Sequence, residues 1–167
     1  MKRYWFLLLL LAVTMVWPSS ARPQSQAAAS FEKLKTLAGE WQGAGADGKM
    51  RTVTYQLISG GTAVLETMTP ADEPSMVTVY YLDGDRLLLT HFCSAGNQPR
   101  LRAASPAGEI KKLDFDFLDA TNLAPPAAGH IHRLRLAFQD QHHLAQTWTW
   151  REAGKEMVDT FNLTRKK

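Results

Sequence analysis

The sequence carries a single cysteine, Cys93, so no disulfide within the chain can brace the fold and a packed core must hold it. It also lacks an apolar run of the ~20 residues that a membrane-spanning helix needs. The longest such run, residues 4–17, is 14 residues long. Charge of one sign is scarce too, with 19 Lys and Arg against 16 Asp and Glu. No basic stripe interleaved with aromatics is present, so nothing argues for nucleic acid as a partner. The chain has no Gly-x-Ser-x-Gly elbow, no phosphate-cradling glycine loop and no His-Glu-x-x-His helix, which removes the common hydrolase, nucleotide-binding and zinc-peptidase signatures. The sequence therefore assigns no catalytic set, and enzymatic activity stays open.

What is present begins with a leader. Lys2 and Arg3 precede the apolar run, and Pro18-Ser19-Ser20-Ala21 supplies a breaker and small residues for cleavage. That is the anatomy of a secretory signal peptide over residues 1–21, with Ser25-Gln26-Ala27 as a second cleavage position. It predicts a periplasmic or secreted protein with no stable membrane insertion after cleavage, a retained anchor being the alternative. The chain left by cleavage at Ala21 has 17 basic and 16 acidic residues and reads as one domain, residues 31–167, after a flexible lead-in over 22–30.

Ser30 can cap a short helix over residues 31–38, with Phe31, Leu34 and Leu37 on one side. After Gly39 no second helical period appears; strands and turns alternate instead. Residues 50–59 place Val53, Tyr55 and Leu57 on one face, and residues 109–117 place Leu113, Phe115 and Phe117 on one face. Asp83-Gly84 is a strong hairpin signal. About ten strands with mostly short connections predict an all-β fold, an antiparallel up-and-down β-barrel with a short N-terminal helix, a β-sandwich being the alternative.

The opening strand carries the most specific motif. Gly39, Trp41, Gly43 and Gly45 share one parity, and a ring flanked by glycines suits a place where neighbouring backbone crosses closely. The run Gly39-Glu40-Trp41-Gln42-Gly43-Ala44-Gly45 resembles the Gly-x-Trp-x-Gly-x-Gly opening of the nitrobindin-like haem-binding barrels, which belong to the calycin group with the lipocalins. The resemblance extends to secreted bacterial members of unknown function. It implies a ten-stranded barrel over residues 31–165 and raises haem as a cofactor. In that family a histidine close to the C-terminal end of the barrel holds the iron, whereas residues 157–165 here contain none. Haem would have to use His142, His143 or an earlier histidine.

Candidate binding residues follow from strand parity. His91 and Cys93 share the parity of Leu87 and Leu89; His130 and His132 share that of Leu134, Leu136 and Phe138. All four are expected to face inward and are the candidate ligands for a metal such as zinc, copper or iron. Asn97, Arg100 and Asn122 stand in or beside polar loops, where Arg100 or Arg102 would suit a carboxylate. Trp148 and Trp150 share a face on which a planar ligand would stack. Glu66 is buried if Val64 and Met68 face inward, and exposed if Ala63, Leu65 and Thr67 do. Counting strands from Gly39, the end of the fifth and the start of the eighth fall at one rim, so His91, Cys93, Asn122, His130 and His132 are expected to converge there. The function these readings predict is the binding of a small, largely apolar or planar molecule. The alternatives are a haem or metal protein and a filled barrel acting as an interaction module.

Overall fold

The structure is a computed structural model that describes residues 25–71, 73–104, 108–123, 125 and 127–167. The apolar leader and its cleavage position at Ala21 lie outside the described residues. One helix, α1 (Gln26–Lys35), is followed by ten strands: β1 (Gly39–Ala44), β2 (Met50–Ile58), β3 (Ala63–Pro70), β4 (Met76–Asp83), β5 (Arg86–Phe92), β6 (Gln98–Ala103), β7 (Lys112–Thr121), β8 (His130–Phe138), β9 (His143–Glu152) and β10 (Lys155–Arg165). Each strand pairs antiparallel with its neighbour in sequence, and β1 pairs with β10 as well as β2, closing the barrel. Closure leaves no unpaired edge.

The helix starts earlier than the sequence predicts. Ser25, not Ser30, is its N-cap, accepting the Ala28 amide at 3.1 Å. The reason is helix propensity: Gln26-Ala27-Ala28-Ala29 has no apolar period to mark it as helical, yet alanine is the best helix former. Ala27, Ser30, Phe31 and Leu34 then form one buried face, so residues 26–30 are packed structure rather than lead-in. Strand β7 runs on to Thr121, past the residues 109–117 over which the sequence alternates.

The helix end plugs one rim. Trp41 is 1% exposed, and its Nε1 donates to the Leu37 carbonyl at 2.8 Å. The Arg165 guanidinium lies 4.2 Å from the Trp41 ring centre and donates to the carbonyls of Ala38 and Thr36 at 2.7 Å each. The last strand is thereby tied to the end of the helix across the closing seam. Gly43 is required at that seam because a Cβ there would stand 2.0 Å from the Asn162 carbonyl oxygen. Above this plug Leu89, Leu101, Leu113, Phe115, Leu134 and Leu136 fill the lower barrel, each at most 1% exposed.

Candidate functional site

The opposite rim is not filled. A cavity of about 380 Å³ enters the upper barrel, its inner walls formed by Met68, Met76, His91, Cys93, Ile131, Trp148, Trp150 and Phe161. Arg51, Glu73, Ser94, Met157, Val158 and Asp159 also line it, with Arg51 buried and Glu73, Ser94, Met157 and Val158 exposed. This volume lies in the range of small-molecule sites. Two grooves beside α1, of about 340 and 650 Å³, differ in character: charged side chains such as Asp85 and Arg102, or Lys33 and Lys111, line them.

Strand register explains why polar groups meet in the barrel interior next to His91. Tyr55 pairs with Glu66, Glu66 with Thr78, and Thr78 with His91. Directly opposed residues share a face, so these four form one lateral row across β2 to β5. This resolves the parity of β3: Glu66 is 1% exposed, with Val64 and Met68 buried beside it. Burial pushes the Glu66 carboxyl up to about 7, and the hydrogen bond donated by Tyr80 to Oε2, at 2.6 Å, offsets only part of that. Burial likewise raises the phenols of Tyr55 and Tyr80 well above their ordinary value. Gln146 on β9 closes the network, donating to the Tyr55 hydroxyl and accepting from Trp148 Nε1 at 3.3 Å.

His91 is 3% exposed, hydrogen-bonded to Thr78 Oγ1 through Nδ1 at 2.9 Å, and its ring centre lies 5.0 Å from that of Trp148. Burial lowers its pKa to about 4, so the imidazole is neutral at neutral pH. Its Nε2 and Glu66 Oε1 are both buried without a hydrogen-bond partner. Unsatisfied buried groups of this kind carry a cost of about 1–3 kcal/mol each and call for an explanation.

The predicted cluster divides into separate groups. His91, Cys93 and Trp148 line the cavity, and His130 and His132 do not. The β8–β9 register shifts between Ile131 and Arg133. This bulge at His132 makes Ile131 the residue opposite Trp150 on the cavity wall. His130 and His132 pack instead against Phe117, at 4.6 and 5.4 Å between ring centres, and against each other, with Nε2 and Nδ1 at 3.3 Å. Among the described residues no three His, Cys, Asp or Glu side chains come together as a metal-binding group, so the four metal candidates do not form one site.

The loop candidates serve the rim. Asn97, 4% exposed, donates through Nδ2 to the Gly129 carbonyl at 2.8 Å. Gly129 lies against Trp150, where a Cβ would stand 2.0 Å from the indole. Asn122 is exposed, has φ of 54°, and donates to Gln98 Oε1 at 3.0 Å, which is turn chemistry. Arg100 pairs with Asp119 on the exposed surface and is not a cavity group. His142 and His143 sit at the helix end of the barrel, the former beside the Trp41 groove and the latter bonded to Asp140 at 2.7 Å. Sequence reasoning missed Met68, Met76, Thr78 and Gln146, because only the register shows which inward residues are neighbours.

No protein-family model matches the chain, and no curated protein matches it. Solved structures do. Rv2717c from M. tuberculosis superposes with a TM-score of 0.59 at 18% identity, over 84% of this chain and 99% of that one. A protein of unknown function from the DUF3598 family of Nostoc punctiforme gives a TM-score of 0.46 at 12% identity, over 80% of this chain and 49% of that one. At these identities the likeness is one of fold, and fold alone does not assign function. The chain is a closed ten-stranded antiparallel barrel with a short helix.

Proposed function

We propose that the protein is a secreted or periplasmic barrel that binds a small, largely apolar molecule in the cavity between Met68, Ile131 and Trp148. The observation that carries this reading is His91: a buried imidazole with one nitrogen engaged by Thr78 and the other unpartnered, on the wall of a cavity whose neighbouring lining includes Met68, Met76, Ile131 and Trp148. Apolar area supplies affinity, and a single polar group fixes orientation. Trp148 and Trp150 offer faces for a planar ring. The neutral fluorophore N-phenyl-1-naphthylamine is expected to bind saturably, one per chain. Trp148→Ala should weaken it roughly tenfold, about 1.4 kcal/mol, while Arg100→Ala on the outer surface leaves it unchanged. Absence of saturable uptake, or equal uptake by the cavity-filling Ile131→Trp variant, would overturn the reading.

The resemblance to nitrobindin-like barrels supports haem as a second reading. No histidine stands on β10, so His91, with its Nδ1 bonded to Thr78 and its Nε2 unpartnered, is the residue that would hold the iron. Haem would supply a redox-active, gas-binding centre. A Soret band in protein from its own host, lost in His91→Ala, separates this reading from the first.

Export is inferred from the leader, and the helix bears on where the leader ends. Cleavage after Ala27 would remove the Ser25 cap and the buried Ala27; loss of such a cap costs about 1 kcal/mol. The mature protein is therefore expected to begin at Arg22. N-terminal sequencing of envelope protein checks this, and a start at Ala28 or an intact leader in the membrane fraction would contradict it.

A further inference from the structure

We propose that the β3–β5 wall of the cavity is a soft-metal site that holds one Cu(I) ion through the Cys93 thiolate, His91 Nε2 and the thioethers of Met68 and Met76. The proposal goes beyond the small-molecule reading and rests on it only in taking this cavity as the binding site.

The register brings these donors together. Met68 on β3 is paired directly with Met76 on β4. Val77 is paired with Phe92, so Cys93, the next residue, falls beside Met76. One row deeper, Thr78 is paired with His91. Three sulfurs and one imidazole thus occupy two adjacent rows on three adjacent strands, and all four residues line the same cavity. Cys93 is a free thiol.

Methionines alone would be ordinary gap-fillers. The unpartnered Nε2 of His91 is the independent observation that an apolar wall does not explain. In the tautomer with the proton on Nδ1, donated to Thr78 Oγ1, Nε2 keeps a free lone pair on a residue that lines the cavity, the arrangement in which an outer hydrogen bond orients a ligating imidazole. Thiolate and imidazole would also suit zinc, but two thioethers beside them are soft donors that favour Cu(I), and none of the four suits a hard cation. Binding exchanges one proton for one ion: the Cys93 S–H bond breaks, the S–Cu bond forms, and the proton leaves to solvent. Copper remains Cu(I), so no oxidant or reductant takes part.

The test is an anaerobic titration of the full mature chain with Cu(I) against a competing Cu(I) chelator, with native mass spectrometry counting ions. One ion per chain is expected. Cys93→Ser should abolish binding, and the volume-conserving pair Met68→Leu and Met76→Leu should weaken it at least tenfold with the fold retained. Thr78→Val should weaken it about 10–100-fold by releasing the imidazole, and Met50→Leu, outside the cavity, should leave it unchanged. Failure of the unmodified chain to hold copper against the chelator overturns the site, as does unchanged affinity in the methionine pair. Fluorophore uptake by a chain that holds no copper overturns the metal site alone. Copper binding without fluorophore uptake overturns the small-molecule reading alone.

Discussion

Trp41→Ala is expected to lower folding stability by about 3–5 kcal/mol, the cost of truncating a large buried aromatic. Trp41 supports three things at once. Its ring is 1% exposed within the plug of the lower barrel. Its Nε1 holds the Leu37 carbonyl just past the end of α1. Its face carries the Arg165 guanidinium, which in turn binds the carbonyls of Thr36 and Ala38. Removing the indole leaves a cavity, a carbonyl without its donor and a seam without its stacking surface. Urea unfolding of the variant measures the loss; a change below about 1 kcal/mol would place the anchor of the barrel elsewhere.

The second large effect is a pair of opposed pH dependences inside the barrel. The Glu66 carboxyl ionises near 7 in the fold against an ordinary 4.5. Between those values the folded chain keeps a proton that the unfolded chain has lost. Its contribution to stability is therefore full below about 4.5 and is lost as pH rises through 7. His91 does the reverse, titrating near 4 against an ordinary 6.5, so its contribution is full above 6.5 and is lost as pH falls through 4. Each is worth about 3 kcal/mol across its window. From 4.5 to 6.5 the two slopes cancel, and the unmodified protein should be level there. Separate variants expose them. In Glu66→Gln, stability should climb across the histidine window and stay high on the alkaline side; in His91→Gln it should decline across the carboxyl window. Urea midpoints on both sides of neutrality check the signs, and parallel profiles for the two variants would contradict the account.

The barrel was legible because each strand announces itself. Two-residue alternation such as Leu113, Phe115 and Phe117, punctuated by signals such as Asp83-Gly84, gave the strand count and hence the rim shared by β5 and β8. The helix start was hidden because an alanine run has propensity without pattern. The site was less legible, for two physical reasons. A bulge changes no composition, so nothing in His130-Ile131-His132 announced that Ile131 would take the cavity wall. Register is a property of paired strands, so the row Tyr55, Glu66, Thr78 and His91 could not be seen in any one of them. Glu66 shows this best: both faces of β3 are apolar enough to be buried, and only its pairing with Tyr55 and Thr78 selects one.

The central claim is that the upper barrel holds a ligand, and native mass spectrometry of protein purified from its own host addresses it directly. The account predicts a mass above that of the chain from Arg22, owing to one bound molecule that Trp148→Ala loses or one bound ion that Cys93→Ser loses, either of them lost from His91→Ala and retained by Arg100→Ala. The mass of the bare polypeptide, both as purified and after incubation with a lipid extract and with Cu(I), would contradict it.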